Sequence, residues 1–210
     1  DFLNARLRRE APQAWRELNL RAASIVDEPL RAVRHAAEAG EPRQALEVLG
    51  RHAEALLRQG HTDAVTQALR TLAAAGVGDD VQAHWIAGLL AWQRSAFDEG
   101  RASLELAWQG FQAAGDRADA VRSLLLLARV VSYTGDVRAA AERLERIDDT
   151  GLEADLQAEL ALERAWLFNA TGRPDEASAA LRTAIELAER VASVDLCIRL
   201  AERIRSHFVA

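Results

Sequence analysis

The amino-acid sequence predicts an all-α fold, a solenoid of antiparallel helix pairs, and three observations carry that expectation. The first is composition. Half of the 210 residues are hydrophobic but only 5% are aromatic; Ala and Leu crowd out Val and Ile, which favours helix almost everywhere. The second is punctuation. Gly40, Gly60, Gly115, Gly135 and Gly172 each follow a helical pattern and are each followed by a polar residue or Pro within two positions, at intervals of 20, 55, 20 and 37 residues. Glycine just past a helix end is a stop signal, so each interval holds one helix or a pair. The third is a recurrent spacing of small and apolar residues. From Gly88 to Gly100 is 12 residues, Leu104 follows at 4 and Ala107 at 3. Ala128, Ala140, Leu144 and Ile147 repeat that spacing, as do Ala165, Ala177, Leu181 and Ala184. Val33, Ala45 and Leu49 begin it again, with polar His52 breaking the last step.

In order, Phe2, Leu3 and Leu7 form a short apolar edge before Arg8, Arg9 and Glu10. After Ala11-Pro12, a helical pattern places Trp15, Leu18, Ala22 and Ile25 on one face, with Pro12 suited to a first turn. Asp27-Glu28-Pro29 opens a helix carrying Leu30, Val33 and Ala37 that stops at Gly40. The next pattern ends at Gly60, and further helices are expected across 53–75 and 193–209. Residues 80–116 read as two helices joined by a turn at Ser95–Asp98. Eleven or twelve helices are expected in all. No linker rich in Pro, Gly or Ser divides the chain, so residues 1–210 are expected to form one solenoid. One pair cannot bury its own apolar face, so the stack is the stabilising unit.

Charge and motifs narrow the function classes. The 26 basic residues are all Arg, against 32 acidic ones, for a net charge of −6. That balance argues against direct nucleic-acid contact, which needs a basic face. Most charges interleave at helical spacing, as in Glu142-Arg143-Leu144-Glu145-Arg146, the pattern of a solvated face. No apolar run reaches the ~18–20 residues that a membrane span requires, and Val121–Val131 is interrupted by Arg122 and Arg129. The single Cys197 excludes an internal disulfide framework, and with the lack of a signal peptide points to a cytoplasmic setting. With no Lys, a phosphate-binding P-loop is excluded. His35, His52, His61, His84 and His207 lack the spacing of a helical zinc site, with His52 and His84 expected near apolar packing. Asp79-Asp80, Asp98-Glu99 and Asp175-Glu176 fall at helix starts, where they complement the helix dipole. Neither an enzyme nor a cofactor is expected.

What remains is a surface. Counted from Gly88, Ala128 and Ala165, the first-helix positions that would line the concave side carry Trp85, Leu89 and Trp92, then Arg129 and Tyr133, then Trp166 and Asn169. Trp, Tyr and Arg are enriched at binding hot spots, and aromatic faces with fixed polar groups suit a sugar-like or peptide ligand. The competing reading places Trp85 and Trp92 in the core. Truncating Trp92 would then cost about 3–5 kcal/mol, whereas Arg129→Ala is expected to be nearly silent in stability under either reading.

The small-residue spacings resemble the tetratricopeptide pattern, a helix–turn–helix of about 34 residues. That resemblance implies a right-handed superhelical solenoid of tetratricopeptide-like antiparallel helix pairs. The first third of the chain is similar to something narrower. In Ala32-Val33-Arg34-His35-Ala36-Ala37-Glu38-Ala39-Gly40-Glu41, then Ala45-Leu46 and Val48-Leu49, it resembles the A-I-x-H-A-L-x-A-G-D-x-x-x-A-A-x-L-L segment of MalT-like regulators. Glu54-Ala55-Leu56-Leu57-Arg58-Gln59-Gly60 fits as well. These regulators are STAND-class ATPases, usually ending in a LuxR-type helix-turn-helix, in which a winged-helix tail leads into the helical repeats. The resemblance implies a sensor domain that binds a small-molecule effector or a protein or peptide in its groove, with residues 1–27 as the tail of a preceding winged-helix module. A generic protein–protein scaffold is the alternative, and self-association stays open.

Overall fold

The computed structural model describes residues 2–191 and 194–208; the side chains of Phe2, Leu3 and His207 lie outside the described set. Among the described residues there are helices and no strand. They group into two compact units, residues 1–107 and 108–210, with the division falling inside one helix.

Local chemistry explains where the helices begin and end. All four prolines sit in the first turns of helices, at Pro12, Pro29, Pro42 and Pro174, where the missing N–H costs nothing. Asp80, Asp116 and Asp136 cap three others, each carboxylate accepting a backbone N–H at 3.1 Å from Gln82, Asp119 or Ala139. At the helix ends, Gly40, Gly60, Gly115, Gly135 and Gly172 all take left-handed φ. Each is followed by an N–H that reaches back five residues, as Glu41 N does to Ala36 O at 3.0 Å. In the turn after Gln93 the left-handed position belongs to Ser95, at φ 56°.

In the first unit, α1 (Phe2–Glu10), α2 (Pro12–Ile25), α3 (Pro29–Glu38), α4 (Pro42–Arg58) and α5 (Thr62–Leu72) lead through a π-helical turn (Ala73–Val77) into α6 (Val81–Gln93). The helix α7 (Phe97–Ala114) begins here. Helices α2, α3 and α4 pack in succession, and α4 also meets α5 and α6. The core is Ala36, Ala45, Leu46, Leu49, Ala53, Val65 and Ile86, all but inaccessible. At Gly88 the Leu104 side chain rests directly on the backbone of α6: a Cβ there would lie 2.5 Å from Leu104 Cδ2 and 2.6 Å from its Cγ.

Two sequence expectations change in this unit. On α2 the buried residue is Asn19, while Leu18 and Ile25 are exposed. Asn19 donates from Nδ2 to Trp15 O at 2.9 Å, and its Oδ1 lies 2.8 Å from His35 Nδ1 on α3. An amide oxygen can only accept, so Nδ1 carries the proton of that ring. A satisfied polar pair therefore outranks two apolar side chains in setting the rotation of α2. On α4, His52 is exposed and Ala53 takes the core position, because four residues after Leu49 stays on the stripe.

The second unit contains α8 (Arg117–Tyr133), α9 (Val137–Glu145), α10 (Ala154–Ala170), α11 (Pro174–Val191) and α12 (Val194–Phe208). The pairs α8–α9 and α10–α11 pack internally, and α10 touches α8, α9 and α12. Ala158, Ala161, Leu162, Ala184, Ala188, Leu196 and Leu200 form its terminal core. Helix α9 is half the length its pattern promised to its neighbours: nine residues against 18 in α11. Ile147 lies beyond its end, a correction to the helix read through that residue. Arg164 on α10 explains the stop. Its guanidinium donates to Leu144 O at 3.1 and 3.0 Å and to Ile147 O at 2.6 Å, satisfying carbonyls that another turn would have used.

Candidate functional site

The seven residues singled out by sequence divide between the units. Trp85, Leu89 and Trp92 lie on α6 in the first; Arg129, Tyr133, Trp166 and Asn169 lie on α8 and α10 in the second. Trp85 and Leu89 each keep 7% of their surface and are packing residues. Trp92 is half-buried, its ring 6.0 Å from that of Phe97 and tilted by 55°, a favourable edge-to-face range.

The second unit holds a seam between α8 and α10, built around one ion pair. Arg129 Nε donates to Glu163 Oε1 at 2.7 Å. The Glu163 side chain is 1% exposed and that of Arg129 23%. Glu163 interrupts the buried stripe of Leu156, Leu160 and Leu167 along α10, and a carboxylate there needs a cation close by. Arg129 supplies it. The expectation that Arg129→Ala is silent is therefore corrected: its loss leaves Glu163 in the core without its guanidinium. One turn beyond Arg129 stands Tyr133, 58% exposed. One and two turns beyond Glu163 stand half-buried Trp166 and exposed Asn169. Helical periodicity carries Asn169 about 120° around α10 from Glu163 and keeps Tyr133 and Trp166 nearer the seam. Arg129 and Glu163 lock it, and Tyr133 and Asn169 present to solvent.

Glu163 is the residue that sequence reasoning missed. Its signal was a lone acid in an apolar stripe, but the partner lies 34 residues away. A second ionic cluster fastens the turn after α10. Arg173 bonds Glu145 and Glu176, and its guanidinium carbon stands 4.3 Å above the Phe168 ring centroid. Arg173 in turn holds the Glu176 carboxyl below the usual carboxylate range.

A different concave feature, a cleft of about 670 Å³, lies beside α9 in the second unit, and none of the seven residues lines it. Among the described residues no group of three His, Cys, Asp or Glu side chains is placed to hold a metal ion. Among them too, no helix is long and apolar enough to cross a membrane.

No family model matches the chain, and no curated protein does. Solved structures do. BtubC (BKLC) from P. vanneervenii superposes with a TM-score of 0.59 at 14% identity, covering 90% of this chain and 87% of that one. MamA MSR-1 C2 superposes with a TM-score of 0.50 at 19% identity, covering 84% of this chain and 96% of the other. Both are tetratricopeptide-like helical-repeat proteins, and at these identities the likeness establishes the fold: an all-α chain of tetratricopeptide-like antiparallel helix pairs.

Proposed function

We propose that the chain is a non-catalytic helical-repeat interaction module that docks a protein or peptide partner along the α8–α10 seam. The observation that carries this reading is the buried Arg129–Glu163 pair joining α8 to α10, with Tyr133 exposed one turn beyond Arg129. An ion pair that fixes α8 against α10 holds the helix carrying Tyr133 in place, and an exposed aromatic on a fixed helix offers stacking area at low entropic cost. The test is selection of binding peptides from a displayed library, followed by affinity measurement on variants. Tyr133→Ala should weaken selected peptides by about tenfold or more, as for a hot-spot aromatic, and Asn169→Ala by less. Selection that yields no saturable binder, or binders indifferent to both substitutions, overturns the reading.

A narrower second reading is supported by the junction-like residues 32–41 and 45–49, which fall on α3, the turn after it and α4. It makes the chain the effector-sensing part of a MalT-like transcriptional regulator working in the cytoplasm. Reading the full-length gene tests it directly. A P-loop ATPase encoded upstream and a helix-turn-helix downstream are expected; neighbours of another kind exclude it and leave the interaction module standing.

A further inference from the structure

The short helix α9 leaves a gap, and the gap has the chemistry of a binding site. Where its neighbours α7 and α11 run for 18 residues each, α9 stops after nine. The end of α7, the start of α8 and the end of α9 then surround the cleft of about 670 Å³. That volume is in the range of sites that hold small organic ligands, about 300–1,000 Å³.

The chain past α9 forms a fixed wall of this cleft. From the α10 side, Arg164 holds Leu144 O, Ile147 O and the Asp149 carboxylate, the last at 3.1 Å. Gln157 Nε2 donates to Asp149 O and Leu152 O, both at 3.0 Å. From the α8 side, Arg117 donates to Asp148 O at 2.5 Å and pairs with its carboxylate at 3.2 Å. Asp148 in turn accepts from the Thr150 backbone at 3.0 Å and from its hydroxyl. A segment tied on both sides loses little freedom when a ligand arrives.

The lining has two characters. Trp108, Val121, Leu124 and Ile147 give an apolar floor. Arg117, Arg143 and Arg146 are among the lining residues, and the single lining carboxylate, Asp148, is already Arg117's partner. This positive lining sits in a chain whose net charge is −6. Arg146 is exposed and has no ion pair among the described residues.

From this geometry we infer that the cleft binds an organic anion, a carboxylate or similar acid group carried on a flat apolar body. The acid meets Arg146 at the rim and the body lies against Trp108 and Ile147. Guanidinium–carboxylate hydrogen bonds are among the stronger ones available, and an indole face suits a planar ligand. The cleft's ligand is independent of any partner at the α8–α10 seam.

The test uses the full chain, with 2-naphthoate as the anion and 2-naphthamide as its neutral isostere. The indole N–H signal of Trp108 is identified by its loss in Trp108→Phe and followed by heteronuclear NMR. Naphthoate should shift it saturably, and naphthamide should bind at least about tenfold more weakly. Arg146→Gln should erase most of that difference, about tenfold in affinity for the acid, with the other indole signals unmoved. The side chain of Arg146 is exposed, so the fold does not depend on it. Equal affinity for acid and amide, an unchanged affinity in Arg146→Gln, or no saturable Trp108 shift at millimolar probe overturns the proposal.

Discussion

Replacing Arg129 by Met keeps an unbranched apolar stem and removes the guanidinium with its charge and donors, which isolates what that group does for Glu163. The pair is separated by 2.7 Å, with Glu163 1% exposed. With an effective dielectric near 20, unit charges about 4 Å apart attract by roughly 4 kcal/mol. Breaking a buried pair from one side costs about 3–5 kcal/mol. Arg129 is 23% exposed, so water can enter beside the vacated position, and a loss of about 3 kcal/mol is expected. For a chain of this size that lowers the melting temperature by about 6–12 °C. Glu163→Leu should cost only about 1 kcal/mol, because Arg129 can extend its head to solvent along its apolar stem. The double variant Arg129→Met/Glu163→Leu replaces the pair by apolar volume and should recover most of the loss. Thermal unfolding followed by circular dichroism at the helical band measures all four corners of the cycle. A melting temperature for Arg129→Met within about 2 °C of the parent refutes the buried-charge argument. So does a double variant no more stable than Arg129→Met alone.

Four further outcomes follow from the geometry. Gly88→Ala gains helix propensity but drives a methyl against Leu104 Cγ at 2.6 Å, in a side chain with no exposed surface. A net loss of about 1–2 kcal/mol is expected in urea unfolding. Gly50→Ala meets only the amide end of half-buried Gln82, which can swing away, and should stabilise by about 0.5–1 kcal/mol. Ser95→Gly relieves the left-handed φ of 56° and should raise stability by about 0.5–1 kcal/mol, read in the same assay. Finally, hydrogen bonds from Thr150, with Arg117 adding its charge, hold the Asp148 carboxyl below its ordinary value of 3.8. A depressed carboxyl contributes stability above its unfolded value and loses it as pH falls through the folded one. The melting temperatures of the parent and Asp148→Asn should therefore differ near neutrality and converge in acid below 3.8; a gap that persists there contradicts the assignment.

The sequence by itself determined what depends on near neighbours along the chain. The helix starts at Pro12, Pro29, Pro42 and Pro174, the caps at Asp80, Asp116 and Asp136 and the stops at the left-handed glycines involve contacts within five residues. The small-residue spacing marked Gly88 and Leu104 as members of one repeat, and the structure packs the one on the other. Tertiary structure decided the rest. Leu18 and Ile25 read as core from periodicity, yet the face of α2 is set by Asn19 meeting His35 across 16 residues. Arg129 read as a groove cation, yet it answers a carboxylate 34 residues away. The cleft was illegible because it arises where α9 ends early, and Arg164, 20 residues beyond Leu144, takes the carbonyl that would have continued the helix. Helix signals are local and survive in a one-dimensional pattern, whereas partners for buried polar groups and the space left by a missing turn exist only once the helices are packed.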